Sequence, residues 1–183
     1  MRNLATALVL GLLAAPASAE VVESSTGGFA THDSAVVAAD RQAVWEALIH
    51  PEDWWSHTWS NDSANLSLDP RAGGCFCETL PAADGWGEGS VEHMRVITVM
   101  AGSTLRMSGS LGPLQAEGLT GTLTVTVEDA GAGTRISWDY VTGGEARFPA
   151  AQFAPVVDSV QTEFLTALVD RLGGAVEEPG QGE

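Results

Sequence analysis

The chain has 183 residues and a formal net charge of −16, from 24 acidic side chains against 8 basic ones, all of them arginine. So acidic a chain lacks the clustered positive charge that nucleic acid or an anionic membrane surface demands, and without lysine it forms no Schiff base. Its length suits one domain able to bury about two-thirds of its unfolded surface, which needs no disulfide to hold a core.

Residues 1–19 read as a cleavable secretory signal. Met1-Arg2-Asn3 brings one positive charge, residues 4–15 are apolar apart from Thr6 and Gly11, and the small Ala17 and Ala19 put cleavage before Glu20. The apolar run is well short of the ~20 residues of a membrane span. The expectation is a periplasmic or secreted protein with no stable membrane insertion. Residues 20–27 are polar and read as a lead-in to a domain over 28–173.

Residues 29–39, small and β-branched, are predicted as a strand. Asp40 caps a helix whose Val44, Leu48 and Ile49 fall at helical spacing. His50-Pro51 ends it, and Pro51-Glu52-Asp53 opens a second short helix carrying Trp54 and Trp55. After a polar loop at 61–65, strands are predicted over 65–68, 75–80, 90–100, 104–108, 121–128 and 134–141. A Gly/Pro loop spans 109–119. In the last two strands Leu123, Val125 and Val127, then Ile136, Trp138 and Tyr140, alternate with polar residues, as an antiparallel sheet with one covered face requires. Phe153, Val156, Val157, Val160, Phe164, Leu168 and Leu172 recur every three or four residues and predict a long amphipathic helix, stopped by Gly173-Gly174. Residues 174–183 read as a disordered tail.

This order is α+β. A meandering sheet with an apolar face must be covered, and one long helix is available to cover it. One helix does not fill the concavity of a curved sheet, so the remaining space is packed with large side chains or left as a pocket.

Val44-Trp45-Glu46-Ala47-Leu48, Asp69-Pro70-Arg71-Ala72-Gly73-Gly74 and Gly133-Thr134-Arg135, with the strings at 73–78, 92–96 and 111–115, resemble the SRPBCC superfamily of START-like, polyketide cyclase-like and birch-pollen-allergen-like proteins, in a bacterial branch without an assigned activity. The resemblance covers about residues 28–173. It implies a helix-grip fold: about six or seven antiparallel strands wrapped around the C-terminal helix, two short helices after the first strand, and a cavity for a small apolar molecule or lipid. An export signal would separate the protein from cytoplasmic chaperones, which some members of the superfamily activate.

The side chains expected at such a cavity are Trp54, Trp55, Trp59, Cys75, Cys77, His93, Met107, Trp138, Tyr140, Phe153 and Val157. Trp54, Trp55 and Trp59 stand where large rigid aromatics either line a pocket or fill the core. Cys75 and Cys77 share a strand face with Cα atoms ~6.6 Å apart, near the outer limit for a disulfide. They read as two small buried groups; a soft-metal or redox dithiol joined by His93, and intermolecular disulfides, remain as alternatives. His93, Tyr140 and Glu78 are the acid–base candidates for a cyclase- or lyase-type enzyme. Which face carries Glu78 and His93 depends on register, since a slip of one residue reverses it. No cofactor fingerprint, zinc motif or nucleophile elbow is present, so neither cofactor nor metal is expected.

Overall fold

The computed structural model describes residues 18–25, 27–131 and 133–176. Most of the expected signal, residues 1–17, and the end of the expected tail, 177–183, lie outside them. The elements are β1 (Ser18–Ser25), β2 (Gly28–Val37), α1 (Arg41–Leu48), β3 (Leu66–Leu68), β4 (Cys75–Leu80), β5 (Gly89–Met100), β6 (Thr104–Ser108), β7 (Gly118–Asp129), β8 (Thr134–Glu145) and α2 (Ala150–Arg171). The strands form one open antiparallel sheet of eight in the order β1-β2-β8-β7-β6-β5-β4-β3.

Local chemistry sets these boundaries. Asp40 caps α1 by accepting from the Ala43 N–H at 2.8 Å. Pro51–Asp53 makes only one 3-10 turn rather than a second α-helix. In β7 and β8 the alternation holds: Leu123, Val125, Val127, Ile136, Trp138 and Tyr140 are all buried. The C-terminal half of α2 completes the core with Phe164, Leu165, Leu168 and Val169, each buried side chain contributing about 1.5–3 kcal/mol. Gly173 and Gly174 both adopt φ of 95° and end the helix.

The structure departs from the sequence reading at both ends. Residues 20–25, expected as a lead-in, belong to β1, which pairs antiparallel with β2. This raises the strand count above the expected six or seven. At the other end, Ala175 bridges to Val37 and the Val176 N–H donates to Val36 O at 2.8 Å, so residues 175–176 return to the sheet rather than starting a tail. The loop expected at 109–119 contains a 3-10 turn, Gly112–Ala116, before β7 begins at Gly118.

Cys75 and Cys77 are joined in a disulfide, which corrects the reading of two small buried thiols. Their Cα atoms are 5.3 Å apart, well inside bonding range. The pairing of β4 with β5 shifts by one residue between Phe76 and Cys77, so the regular pleat that gave the longer spacing does not hold there. Phe76 and Glu78 take the buried face of β4, and the two cysteines the other. With both sulfurs bonded, no thiolate remains to ligate a soft metal alongside His93.

Candidate functional site

An apolar cleft of about 300 Å³ opens between the N-terminal half of α2, the loop after α1 and the segment before β7. Its wall on α2 is Phe153, Val156, Val157, Val160, Gln161 and Phe164. The apolar stripe of this helix therefore has two uses. Its C-terminal part is buried in the core, while its N-terminal part faces a cavity, leaving Val156 59% exposed. Trp55 and Trp59 face it from the loop, and Leu111, Pro113 and Leu114 from the 3-10 segment. Trp55 is held rigidly: it stacks on Phe164 at 3.6 Å between centroids, meets Phe76 edge-on at 4.8 Å, and donates its indole N–H to His57 O. Trp59, by contrast, is 54% exposed.

Polar chemistry reaches the cleft through His93. Cys77 pairs with Glu92 and Phe76 with Met94, so His93 is the extra residue of a β-bulge in β5. The bulge turns both His93 and Met94 inward, where strict alternation would bury only one. His93 Nε2 lies 2.8 Å from Glu78 Oε2, and both side chains are almost wholly buried. The Glu78 carboxyl also accepts the backbone N–H groups of Trp59 at 3.0 Å and Ser60 at 2.6 Å. Asn61, at φ 60°, makes the turn that follows this pair of donors. Burial pushes the Glu78 pKa up, but the hydrogen bonds from Ser60, Trp59 and His93 outweigh it and hold the group below its ordinary value. Glu78 is thus a carboxylate at neutral pH and only accepts, so His93 Nε2 is the donor. On neutral imidazole that leaves Nδ1 as an unprotonated acceptor.

A second polar group is Gln161 on α2. The Trp138 indole N–H donates to Gln161 Oε1 at 2.6 Å, which fixes the orientation of the amide. The rim carries His57, whose Nε2 is 2.9 Å from Glu163.

Of the residues expected at the cavity, Trp55, Trp59, His93, Phe153 and Val157 line it. Trp54, Met107 and Trp138 instead border a separate small void of about 10 Å³, where Trp54 donates to Ala47 O and meets Trp138 edge-on. Cys75 and Cys77 are on the opposite sheet face from Glu78. Tyr140 is buried away from the cleft, its hydroxyl donating weakly to Gly109 O at 3.4 Å. Burial raises its pKa to about 12, so the phenol stays protonated at neutral pH. Sequence reasoning missed Gln161, His57, Val156, Val160 and the 111–114 segment. The helical stripe and the LGPLQ string were the available signals, but nothing in them separates a cleft wall from a core face.

Solved structures share the fold at low identity. An uncharacterized protein from Rhizobium leguminosarum is 16% identical with a TM-score of 0.56, over 86% of this chain and 99% of that one. The Mll3558 protein from Rhizobium loti is 18% identical with a TM-score of 0.55, over 77% and 96%. A protein of unknown function from Staphylococcus aureus is 13% identical with a TM-score of 0.56, over 80% and 91%. No curated protein matches the chain. An open antiparallel sheet gripping a C-terminal helix is the SRPBCC architecture, and residues 38–175 match the family model described as Activator of Hsp90 ATPase homolog 1-like protein: the chain belongs to that family.

Proposed function

We propose that the protein is an exported carrier or sensor that binds one small apolar or lipid-like molecule in the cleft beside α2. The observation that carries this reading is the apolar wall of Phe153, Val156, Val157 and Val160, which the side chains of the described residues leave partly uncovered. A concave, mostly apolar site with few polar groups is the usual form of a small-molecule pocket, and about 300 Å³ is the small end of that range. The basic, apolar and A-x-A segments at 1–19 support export.

The test uses protein purified from the exported fraction of cells that make it. Its intact mass is expected to match a chain beginning at Glu20. The neutral fluorophore N-phenyl-1-naphthylamine is expected to bind saturably at one site, and Val157→Trp, which fills the cleft, to weaken it at least tenfold. A full-length mass would remove the export reading. Absence of saturable binding, or an unaffected V157W variant, would remove the cleft reading.

The buried Glu78–His93 pair favours a second reading, a cyclase- or lyase-type enzyme in which His93 takes a proton from the substrate. Turnover abolished in His93→Phe with apolar binding retained would decide for it.

A further inference from the structure

Three polar side chains border the cleft, the half-exposed His57 on its rim and the buried His93 and Gln161, and the two buried ones are complementary. His93 Nε2 is committed to Glu78, which on neutral imidazole leaves Nδ1 to accept. Gln161 Oε1 is committed to Trp138, leaving the amide N–H groups to donate. Neither His93 Nδ1 nor Gln161 Nε2 has a hydrogen-bond partner among the described residues, and neither is sealed from solvent. Both residues border the same cavity. A ligand that left them dry and unpaired would lose their hydrogen bonds to water without replacement.

A hydroxyl is the head group whose chemistry matches both: its O–H donates to an acceptor such as Nδ1 and its oxygen accepts from a donor such as Nε2. An ionised head suits the site less well. A carboxylate offers Nδ1 no proton, would enter beside the buried Glu78 carboxylate, and finds no arginine lining the cleft in a chain of net charge −16 that has no lysine. A cationic head would find an acceptor in Nδ1 but only a donor in the Gln161 amide.

We infer that the cleft selects small apolar alcohols or phenols, reading their hydroxyl between His93 Nδ1 and Gln161 Nε2, with Glu78 and Trp138 as positioning residues that fix the imidazole tautomer and the amide orientation. This rests on the cleft binding apolar molecules, and deepens that reading by naming the head group.

Calorimetric titration of the exported protein at pH 7.5 with 4-butylphenol, butylbenzene and 4-butylbenzoate separates the two claims. The phenol is expected to bind about tenfold more tightly than butylbenzene, the size of one to two net hydrogen bonds, and the benzoate more weakly than the phenol. In His93→Phe the ratio of phenol to butylbenzene affinity is expected to fall from about tenfold to about one. The wild-type protein supplies a check that needs no variant: the 15N resonance of His93 Nδ1 should move when the phenol binds and stay when butylbenzene binds. Equal binding of phenol and butylbenzene, a preference for the benzoate, or an Nδ1 resonance indifferent to the phenol overturns the hydroxyl inference and leaves the apolar cleft standing. Failure of all three ligands to bind overturns both.

Discussion

At the scale of single residues, two buried carboxyls have opposite fates. Glu78 is held ionised by two backbone N–H groups and His93. Asp33, wholly buried on β2 opposite Trp138, accepts at Oδ1 from the Thr162 hydroxyl at 2.8 Å, while Oδ2 has no partner. Desolvation raises its pKa to about 6 from 3.8, the Thr162 bond opposing and the nearby Asp158 carboxylate reinforcing the shift. The folded state therefore binds this proton more tightly than the unfolded chain. Its stability contribution is fully present below pH 3.8, declines as pH rises to about 6, and is absent above. At neutral pH the ionised carboxylate therefore costs on the order of 2 kcal/mol. Asp33→Asn is expected to raise Tm by about 4 °C at pH 7.5 and to converge with the parent near pH 4 in thermal melts. A gain that does not vary with pH would show that the charge of Asp33 is not its source. Sequence pattern could not expose this residue: an Asp in a strand of small side chains looks solvated until Thr162, more than a hundred positions away, closes over it.

Secondary-structure elements were legible wherever one periodicity ran uninterrupted. β7, β8 and the C-terminal half of α2 follow their patterns, and the Asp40 cap and Gly173-Gly174 stop lie where side-chain chemistry puts them. The site was less legible because it depends on a broken pattern. Alternation places His93 on a face only if the register is known, and the β5 bulge resets that register at His93 itself. β1 was missed because a polar edge strand shows no apolar alternation, and its pairing with β2 is a backbone matter. A tighter constraint joins β6, β7 and β8. Gly109 and Gly121 exchange backbone hydrogen bonds at 2.9 and 3.1 Å. A β-carbon on Gly121 would meet the Tyr140 hydroxyl and come within 2.6 Å of Gly109 O. Gly121→Ala is therefore expected to lose about 1–3 kcal/mol in urea unfolding, as overpacked sites do, whereas Gly87→Ala, with open space around it, should be near neutral. Equal effects would mean that the β7 backbone relaxes freely around Tyr140.

For the molecule as a whole, charge is the dominant long-range term. The arginines are mostly spent locally: Arg41 on Asp129, Arg71 on Asp69, Arg95 on Glu92, Arg147 on Glu117 and Arg171 on Asp53. Pairs at the surface contribute little each, and every one leaves the net charge of −16 unchanged. Salt acts on the two terms in opposite directions, weakening the few pairs and relieving the many repulsions. Raising ionic strength from about 10 to 150 mM shortens the screening length from about 30 to 8 Å, which removes repulsion between distant carboxylates while contacts under 4 Å keep most of their attraction. Because the excess charge is large and the pairs are few, relief wins. Tm is expected to rise by several degrees over that range of sodium chloride at pH 7.5, and to rise less at pH 5, where the carboxylates begin to take up protons. A Tm that falls with salt would mean that the ion pairs, and not the surplus of acid, set the electrostatic balance of the fold.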